Sequence, residues 1–271
     1  MSHAQVYPAL FICHGAGPLP VLGAEGHVHM VDAWKAHVSS ILKRYGNPRA
    51  IAVVSAHYQT AEAAVGGGAQ PGMIYDYYNF PPAAYELRYP APGDAALSAR
   101  MVAALQKAGF STAAADPERG FDHGVFVPLL ATFPDASIPV IPISVLASDD
   151  PAEHIRFGQA LRPFREEGVL FIGSGSSFHH SQYYQVVDAG SRFGDALTTV
   201  LGDETLSKQQ RLEKLAEVGA FDGFEEAQPP GRHEHLMPLL TLAGTANGAA
   251  AREAASIPFG LANAREYIFE E

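Results

Sequence analysis

Short apolar runs alternate along the chain with longer amphipathic segments. Four of the runs are apolar at both alternating positions and end at a polar or glycine-rich turn, which is typical of strands buried on both faces. These runs span residues 9–13, 50–55, 138–144 and 169–173. Three segments carry apolar residues at intervals of three and four, which predicts helices. These segments span residues 31–45, 95–108 and 153–165.

Strands that alternate with helices predict a parallel sheet covered by helices. Asp94 and Asp150, the latter followed by Pro151, are suitable residues to begin two of the helices. We therefore expect an α/β fold with a central, mostly parallel (mixed) sheet that is flanked by helices on both faces. A chain of 271 residues can form one large domain or two small ones, and we interpret residues 1–271 as a single domain.

Two segments lack this periodicity. Residues 66–92 are rich in tyrosine, proline and glycine, and we expect an ordered surface loop. This loop is either packed by its own tyrosines or forms a wall of an aromatic substrate pocket. Residues 221–231 precede an apolar, helix-like run over 235–243, and we interpret them as a loop rather than a domain linker.

The chain carries 18 basic and 29 acidic side chains, a formal net charge of −11. Nucleic acid is not an expected partner, because phosphate binding needs clustered Lys and Arg. Residues 1–8 are too short and too polar for a secretory signal, and no apolar stretch has the length of a membrane span. The single cysteine, Cys13, cannot form an intrachain disulfide. We expect a soluble cytoplasmic protein with no membrane partner; a homo-oligomer is compatible with the sequence.

The composition departs from the ordinary in its 12 histidines, against one Cys and one Trp. Histidine is the usual metal ligand and acid–base side chain near neutral pH. His14 and His57 follow the first two predicted strands, and His179 lies just beyond the fourth. Because the carboxyl ends of parallel strands form one ligand-binding crevice, we expect these three imidazoles at one rim. Imidazoles suit Zn, Fe, Cu or Ni, so the sequence predicts a mononuclear metal site.

Other histidines complete the set of candidates. His123 follows Asp122, and His233 and His235 flank Glu234. If a helix begins there, each residue is rotated by about 100° from the one before, so the side chains of His233 and His235 point in different directions and do not share one metal. We therefore expect only one of His233, Glu234 and His235 to be a ligand. The remaining histidines are assigned to the surface or to packing: His3, His27, His29, His37, His154 and His180.

Residues 173–177, Gly-Ser-Gly-Ser-Ser, match neither a dinucleotide-binding turn nor a nucleophile elbow. We interpret them as a tight turn of small residues that lets backbone and ligand approach closely.

Six blocks, in order along nearly the whole chain, resemble one family. They are FICHG at 11–15, VSAHY at 54–58, YPAPG at 89–93, DPERGFDHG at 116–124, GSGSSFH at 173–179 and EHLMPL at 234–239. Together they resemble the class III (LigB-type) extradiol ring-cleavage dioxygenases, in the DOPA 4,5-dioxygenase-like branch. The resemblance implies insertion of both atoms of O₂ into a catechol-type or aminophenol-type ring, which opens to a semialdehyde, in the catabolism of aromatic compounds.

The resemblance also implies roles for individual residues. His14, His57 and His235 hold Fe(II), although purified protein can carry Zn(II). His179 is the acid–base residue, with a fourth-ligand role left open, and His123 binds the substrate or its developing charge. The third ligand of the family is usually a glutamate, so Glu234 is the alternative to His235. The implied partners are a small aromatic diol and O₂.

The chain departs from the branch pattern around His179. Phe178 and His180 flank it, where threonine and a small or amide residue are common. A phenyl ring at the rim makes that wall less polar, so we expect less polar catechols or aminophenols to be preferred over DOPA. Two alternatives stay open: a zinc hydrolase that uses the same histidine rim, and a non-catalytic subunit of a two-component dioxygenase, against which the retained histidines speak.

Overall fold

All four predicted strands are present, and the three later ones end further along the chain than their apolar runs suggest. The structure is a computed structural model that describes residues 6–271. Its strands are β1 (Ala9–Cys13), β2 (Ala50–Thr60), β3 (Ala64–Gly66), β4 (Ala114–Asp116), β5 (Val140–Leu146), β6 (Val169–Gly175), β7 (Arg252–Phe259) and β8 (Ala262–Phe269). Its α-helices are α1 (Val28–Tyr45), α2 (Ala95–Lys107), α3 (His123–Thr132), α4 (Pro151–Glu166), α5 (Ser191–Gly202), α6 (Lys208–Ala216), α7 (Phe224–Ala227) and α8 (Met237–Thr245).

The strands form one sheet in the order β4-β3-β5-β2-β6-β1-β8-β7. The four central strands, β5, β2, β6 and β1, run parallel. The antiparallel pairs are β3 with β5, β1 with β8, and β7 with β8. Strands β1, β5 and β6 are buried along their full length, as expected for strands covered on both faces. Helix α3 contacts β2 and β6 and packs with α1, while α8 contacts the same strands and packs with α4. The predicted α/β class with a mixed sheet is confirmed.

The three predicted helices are confirmed as α1, α2 and α4. Asp94 begins α2 by accepting a hydrogen bond from the Leu97 N–H at 2.9 Å. Asp150 begins α4 by accepting the Ala152 N–H at 2.9 Å, and Pro151 stands at the first helical position, where its missing N–H needs no partner.

Several expectations were wrong in detail. Residues 173–175 do not form a turn, because they continue β6 in register with β1. No helix begins at His233, because the next helix starts at Met237. The rotation of about 100° per helical residue therefore does not separate the side chains of His233 and His235. The second break contains the short helix α7. The long loop begins after Gly66, the last residue of β3, and contains one 3₁₀ turn over Pro82–Tyr85. None of the helices in residues 6–271 combines the length and the apolar character needed to span a bilayer.

Candidate metal centre

Five histidines from five separate segments line one cavity of about 230 Å³. They are the five that the sequence singled out: His14, His57, His123, His179 and His235. All the candidate site residues of the sequence are thus brought together.

The register of the central strands explains why two of the segments meet. Cys13 at the end of β1 pairs with Gly175 at the end of β6, and Ser55 of β2 pairs with Ser174 of β6. The carboxyl ends of these three parallel strands therefore lie at one edge of the sheet. His14 is the first residue after β1, and its N–H donates to the Gly175 carbonyl at 3.3 Å.

His57 differs from its prediction, because it lies inside β2 rather than after it. The pairing of β2 with β5 changes register between Val54 and Gln59. Such an irregularity redirects side chains and is common beside active sites. It lets a strand that continues to Thr60 present His57 to the cavity.

His123 begins α3, and its position is fixed by carboxylates on both sides. Asp122 caps the helix by accepting the Val125 N–H at 3.2 Å and also accepts the Ser55 hydroxyl at 2.8 Å. Arg119 forms an ion pair with Asp122 and donates to the His57 carbonyl at 3.3 Å. Asp76, from the long loop, accepts both the backbone N–H of His123 at 3.0 Å and its Nδ1 at 2.9 Å.

The backbone around His235 packs directly on the end of β6. A Cβ atom at Gly175 would lie 2.1 Å from the His235 carbonyl oxygen, so only glycine allows this approach. The same carbonyl accepts the Ser176 N–H at 2.8 Å. The sequence predicted that a ligand would approach the backbone closely here, whereas the close neighbour in the structure is the His235 backbone.

His179 lies on the connection that follows β6. Its backbone N–H donates to the Ala227 carbonyl at 2.8 Å, and the Gln228 side chain donates to the Ser177 carbonyl at 2.9 Å. The segment around α7 therefore holds the loop that carries His179.

The five rings are packed closely. The His14 ring centroid lies 4.8 Å from that of His57 and 5.2 Å from those of His123 and His235. His57 lies 4.0 Å from His123 and 5.0 Å from His235. His179 stacks on His235, with centroids 3.4 Å apart. Two sets of three ligand atoms lie within 4.8 Å of one another: those of His14, His57 and His123, and those of His179, Glu234 and His235.

Polar groups outside the ring cluster contact the Nδ1 atoms of His14 and His235, whereas the buried Nδ1 of His179 has no hydrogen-bond partner among the described residues. The Ser174 hydroxyl donates its hydrogen to the Gly124 carbonyl at 2.5 Å, so its oxygen accepts the His14 Nδ1–H at 3.0 Å. Neutral His14 therefore has a free lone pair on Nε2. Glu234 Oε1 lies 3.0 Å from His235 Nδ1. Carboxylates and hydroxyls at Nδ1 are the usual means of orienting imidazoles that bind metals.

The contact between His14 and His57 tests whether a metal fits. Their Nε2 atoms are 3.0 Å apart, and Asp76 Oδ2 lies 3.5 Å from His57 Nδ1, which favours a proton at Nδ1. Two nitrogen lone pairs at this distance repel unless they share a cation. Neutral imidazoles are suitable ligands for divalent Zn, Fe, Cu or Ni, so the donor set fits a metal ion.

Burial lowers the pKa of four of these imidazoles, so that they are uncharged near neutral pH. Burial, and then the neighbouring histidines, hold the pKa of His14 and of His235 well below the ordinary value. Burial also lowers the pKa of His57 to about 3. The pKa of His179 falls to about 4 for the same reason, although the Glu234 carboxylate acts in the opposite direction. For Asp76, burial raises the carboxyl pKa, but the hydrogen bonds and charge of His123 outweigh it and hold that pKa below its usual value.

The other described histidines do not line this cavity. His154 is fully buried, and its Nε2 accepts the Leu146 N–H at 2.9 Å. His37 Nε2 lies 3.2 Å from the buried Glu266. His29 is exposed, His27 and His233 are half-buried, and His180 is buried. His3 lies outside the described residues.

Sequence reasoning missed the residues that orient the histidines. Asp76 stands in an aperiodic loop, and only its position in a segment suspected of forming a pocket wall pointed to it. Ser174 was treated only as part of a small-residue turn.

A cavity lined by five imidazoles at the carboxyl edge of an α/β sheet has the chemistry of a metal-dependent enzyme site. Residues 9–263 match the family described as the catalytic LigB subunit of aromatic ring-opening dioxygenase. The chain therefore belongs to this family, whose members are metal-dependent extradiol dioxygenases that act on a small aromatic substrate and O₂, and it is such an enzyme.

Relatives agree with this assignment. The chain is 43% identical over 239 residues to a 4,5-DOPA dioxygenase extradiol of Portulaca grandiflora, covering 87% of this chain and 85% of the relative. It is 39% identical over 259 residues to dioxygenase tasH of Hapsidospora irregularis, covering 89% and 78%. The crystal structure of an uncharacterised Escherichia coli K12 protein superposes with a TM-score of 0.76 at 27% identity, covering 97% of this chain and 99% of that protein.

Proposed function

We propose that the protein is a non-haem Fe(II)-dependent extradiol dioxygenase that opens a catechol-type or aminophenol-type ring to a semialdehyde. The observation that supports this proposal is the meeting of five histidines, from five segments, in one cavity. Iron suits such a ligand set. When bound, Fe(II) supplies Lewis acidity toward the catechol oxygens and a common position for the ring and O₂.

We assign the metal to His14, His57 and His235. His14 and His57 touch through their Nε2 atoms, and the His235 ring lies at a similar distance from both. Glu234 bonds His235 Nδ1, as expected of a carboxylate that orients a ligating imidazole. This contact supports His235, rather than Glu234, as the third ligand.

We assign His179 to proton transfer and His123 to substrate binding. His179 is neutral near pH 7 because burial lowers its pKa to about 4. A neutral ring nitrogen can accept the proton of the second catechol hydroxyl and return it after ring opening. His123, held at two atoms by Asp76, binds the catechol or its developing charge. His57 and His123 lie close enough to compete for the ligand role, so variants must separate them.

The test is anaerobic loading with Fe(II), followed by a panel of catechol, 4-propylcatechol, DOPA and 2-aminophenol. We expect O₂ uptake together with a yellow ring-opened product. His179→Phe should bind iron but lose turnover, and His57→Ala should lose iron as well. The exposed His29→Ala is the matched control. Unchanged catechol-dependent O₂ uptake in His179→Phe or His57→Ala would refute the assignment, and hydrolysis by a zinc-loaded form without O₂ uptake would favour a hydrolase instead.

A cytoplasmic location and the assembly state belong to the same proposal and rest on the sequence alone. Cell fractionation tests the first. Light scattering on the purified protein tests for a homo-oligomer.

A further inference from the structure

The cavity has an aromatic side next to its histidine side. Besides the five histidines it is lined by Phe178, Tyr184 and Phe259, and otherwise by small residues and Cys13. The three rings form a continuous series: the centroids of Phe178 and Tyr184 are 5.7 Å apart, and those of Tyr184 and Phe259 are 5.8 Å apart. Aromatic rings at such distances pack favourably and offer a large apolar surface.

Backbone contacts hold this aromatic side in place. The Leu261 N–H donates to the Tyr184 carbonyl at 2.8 Å, which joins the turn between β7 and β8 to the segment that carries Tyr184. The Asp188 N–H donates to the Leu261 carbonyl at 3.0 Å. Behind Phe178, a Cβ atom at Gly190 would lie 2.5 Å from the ring. A surface fixed in this way needs little reordering when a ligand binds.

The described lining contains no Lys, Arg, Asp or Glu. Two arginines near the histidines have other partners. Arg119 is engaged by Asp122 and by the His57 carbonyl. The Arg232 side chain is 72% exposed and lies 4.0 Å from Glu234. A carboxylate group placed against the aromatic side would lose hydration without gaining an ionic partner, which is unfavourable.

Resting on the proposed function, we propose that Phe178, Tyr184 and Phe259 form a subsite for an uncharged, apolar substituent on the substrate ring. The substrate class is then an alkyl- or aryl-substituted catechol rather than a catechol that carries an amino-acid side chain. A cavity of about 230 Å³ is smaller than the roughly 300–1,000 Å³ of drug-sized sites, so one ring with a short substituent suits it.

The experiment compares 4-propylcatechol, catechol and DOPA in two assays of the iron-loaded protein: kcat/KM from O₂ uptake, and anaerobic Kd from calorimetry. For 4-propylcatechol we expect a kcat/KM at least about 10-fold higher than for DOPA and a Kd at least about 10-fold lower. Phe259→Ala should lower kcat/KM and weaken binding for 4-propylcatechol by about 10-fold, while catechol changes less than 2-fold. Tyr184→Leu should keep more of the preference for 4-propylcatechol over DOPA than Tyr184→Ala does, because the leucine side chain retains more apolar area.

Leu261→Ala is the matched control, because Leu261 is half-exposed in the same turn and does not line the cavity. The preference of this variant for 4-propylcatechol over DOPA should equal that of the wild type. Tighter binding of DOPA than of 4-propylcatechol, or equal losses in Phe259→Ala and Leu261→Ala, would overturn the subsite. Absence of O₂ uptake with every catechol would overturn the proposed function instead, and the binding assay would still decide the subsite.

Discussion

Asp76 accepts two hydrogen bonds from His123: one carboxylate oxygen lies 3.0 Å from the backbone nitrogen and the other lies 2.9 Å from Nδ1. The second oxygen also lies 3.5 Å from His57 Nδ1. One carboxylate from a loop therefore orients the His123 imidazole and lies beside that of His57.

Asp76→Asn should impair turnover without unfolding the protein. An amide can replace only one of the two acceptor oxygens, so either the backbone N–H of His123 or the Nδ1 atom of its ring loses its acceptor. Changes of this kind lower metal affinity or activity by about 10- to 100-fold. Steady-state O₂ uptake and bound iron measure the effect, with the exposed Asp195→Asn as control. Equal activity in the two variants would contradict the orienting role.

Glu234→Gln and His235→Ala should have different effects on iron binding. If His235 is a ligand, His235→Ala loses stable iron binding, whereas Glu234→Gln keeps iron with an affinity lowered by about 10- to 100-fold. Competition with a chelator gives both affinities. Thermal unfolding offers a second readout, because an ion that binds only the folded state raises the melting temperature. The reverse ranking would make Glu234 the ligand.

Gly175→Ala should destabilise the fold. The new methyl group would lie 2.1 Å from the His235 carbonyl oxygen, and overpacking of this kind costs about 1–3 kcal/mol. Urea unfolding measures the loss, and iron affinity should fall with it because His235 is displaced. Gly26→Ala, which meets nothing within 4 Å, is the control. Equal stability of both variants would contradict the prediction and show that the end of β6 accommodates the methyl group.

Glu266→Ala should also be destabilising. This buried carboxylate accepts the Cys13 N–H and the Trp34 indole N–H, each at 3.1 Å, and its loss leaves both donors buried without an acceptor. Each such group costs about 1–3 kcal/mol. Glu266→Gln keeps one acceptor oxygen and should lose less free energy of unfolding in urea titrations. A larger loss in Glu266→Gln than in Glu266→Ala would refute this account.

The sequence could predict the central strands and the amphipathic helices, because their patterns are local. Helix α8 was recognised as an apolar, helix-like run over 235–243. Helix α3 was missed because it is buried nearly all round, which removes the polar face that marks a surface helix. Strands β3 and β4 have three residues each, too few for a pattern. The hairpin of β7 and β8 was missed as well.

The same limit applies to the site. Histidines placed after apolar strands give a signal because strand ends of a parallel sheet converge. Asp76 has no such signal, since an aperiodic loop does not indicate where its side chains will lie. The contact of Gly175 with His235 joins residues far apart in the chain, and only the folded packing reveals it.

The sheet order has a consequence for synthesis. Strand β1, which leads to His14, lies between β6 and β8, and both partners are translated much later. A nascent chain emerges from its N-terminus, so this apolar strand waits unpaired, and unpaired strand edges invite aggregation. The histidine cluster cannot assemble before the last third of the chain has left the ribosome. The complete set of candidate metal ligands therefore exists only after His235 has been synthesised, although His14 is made among the first residues.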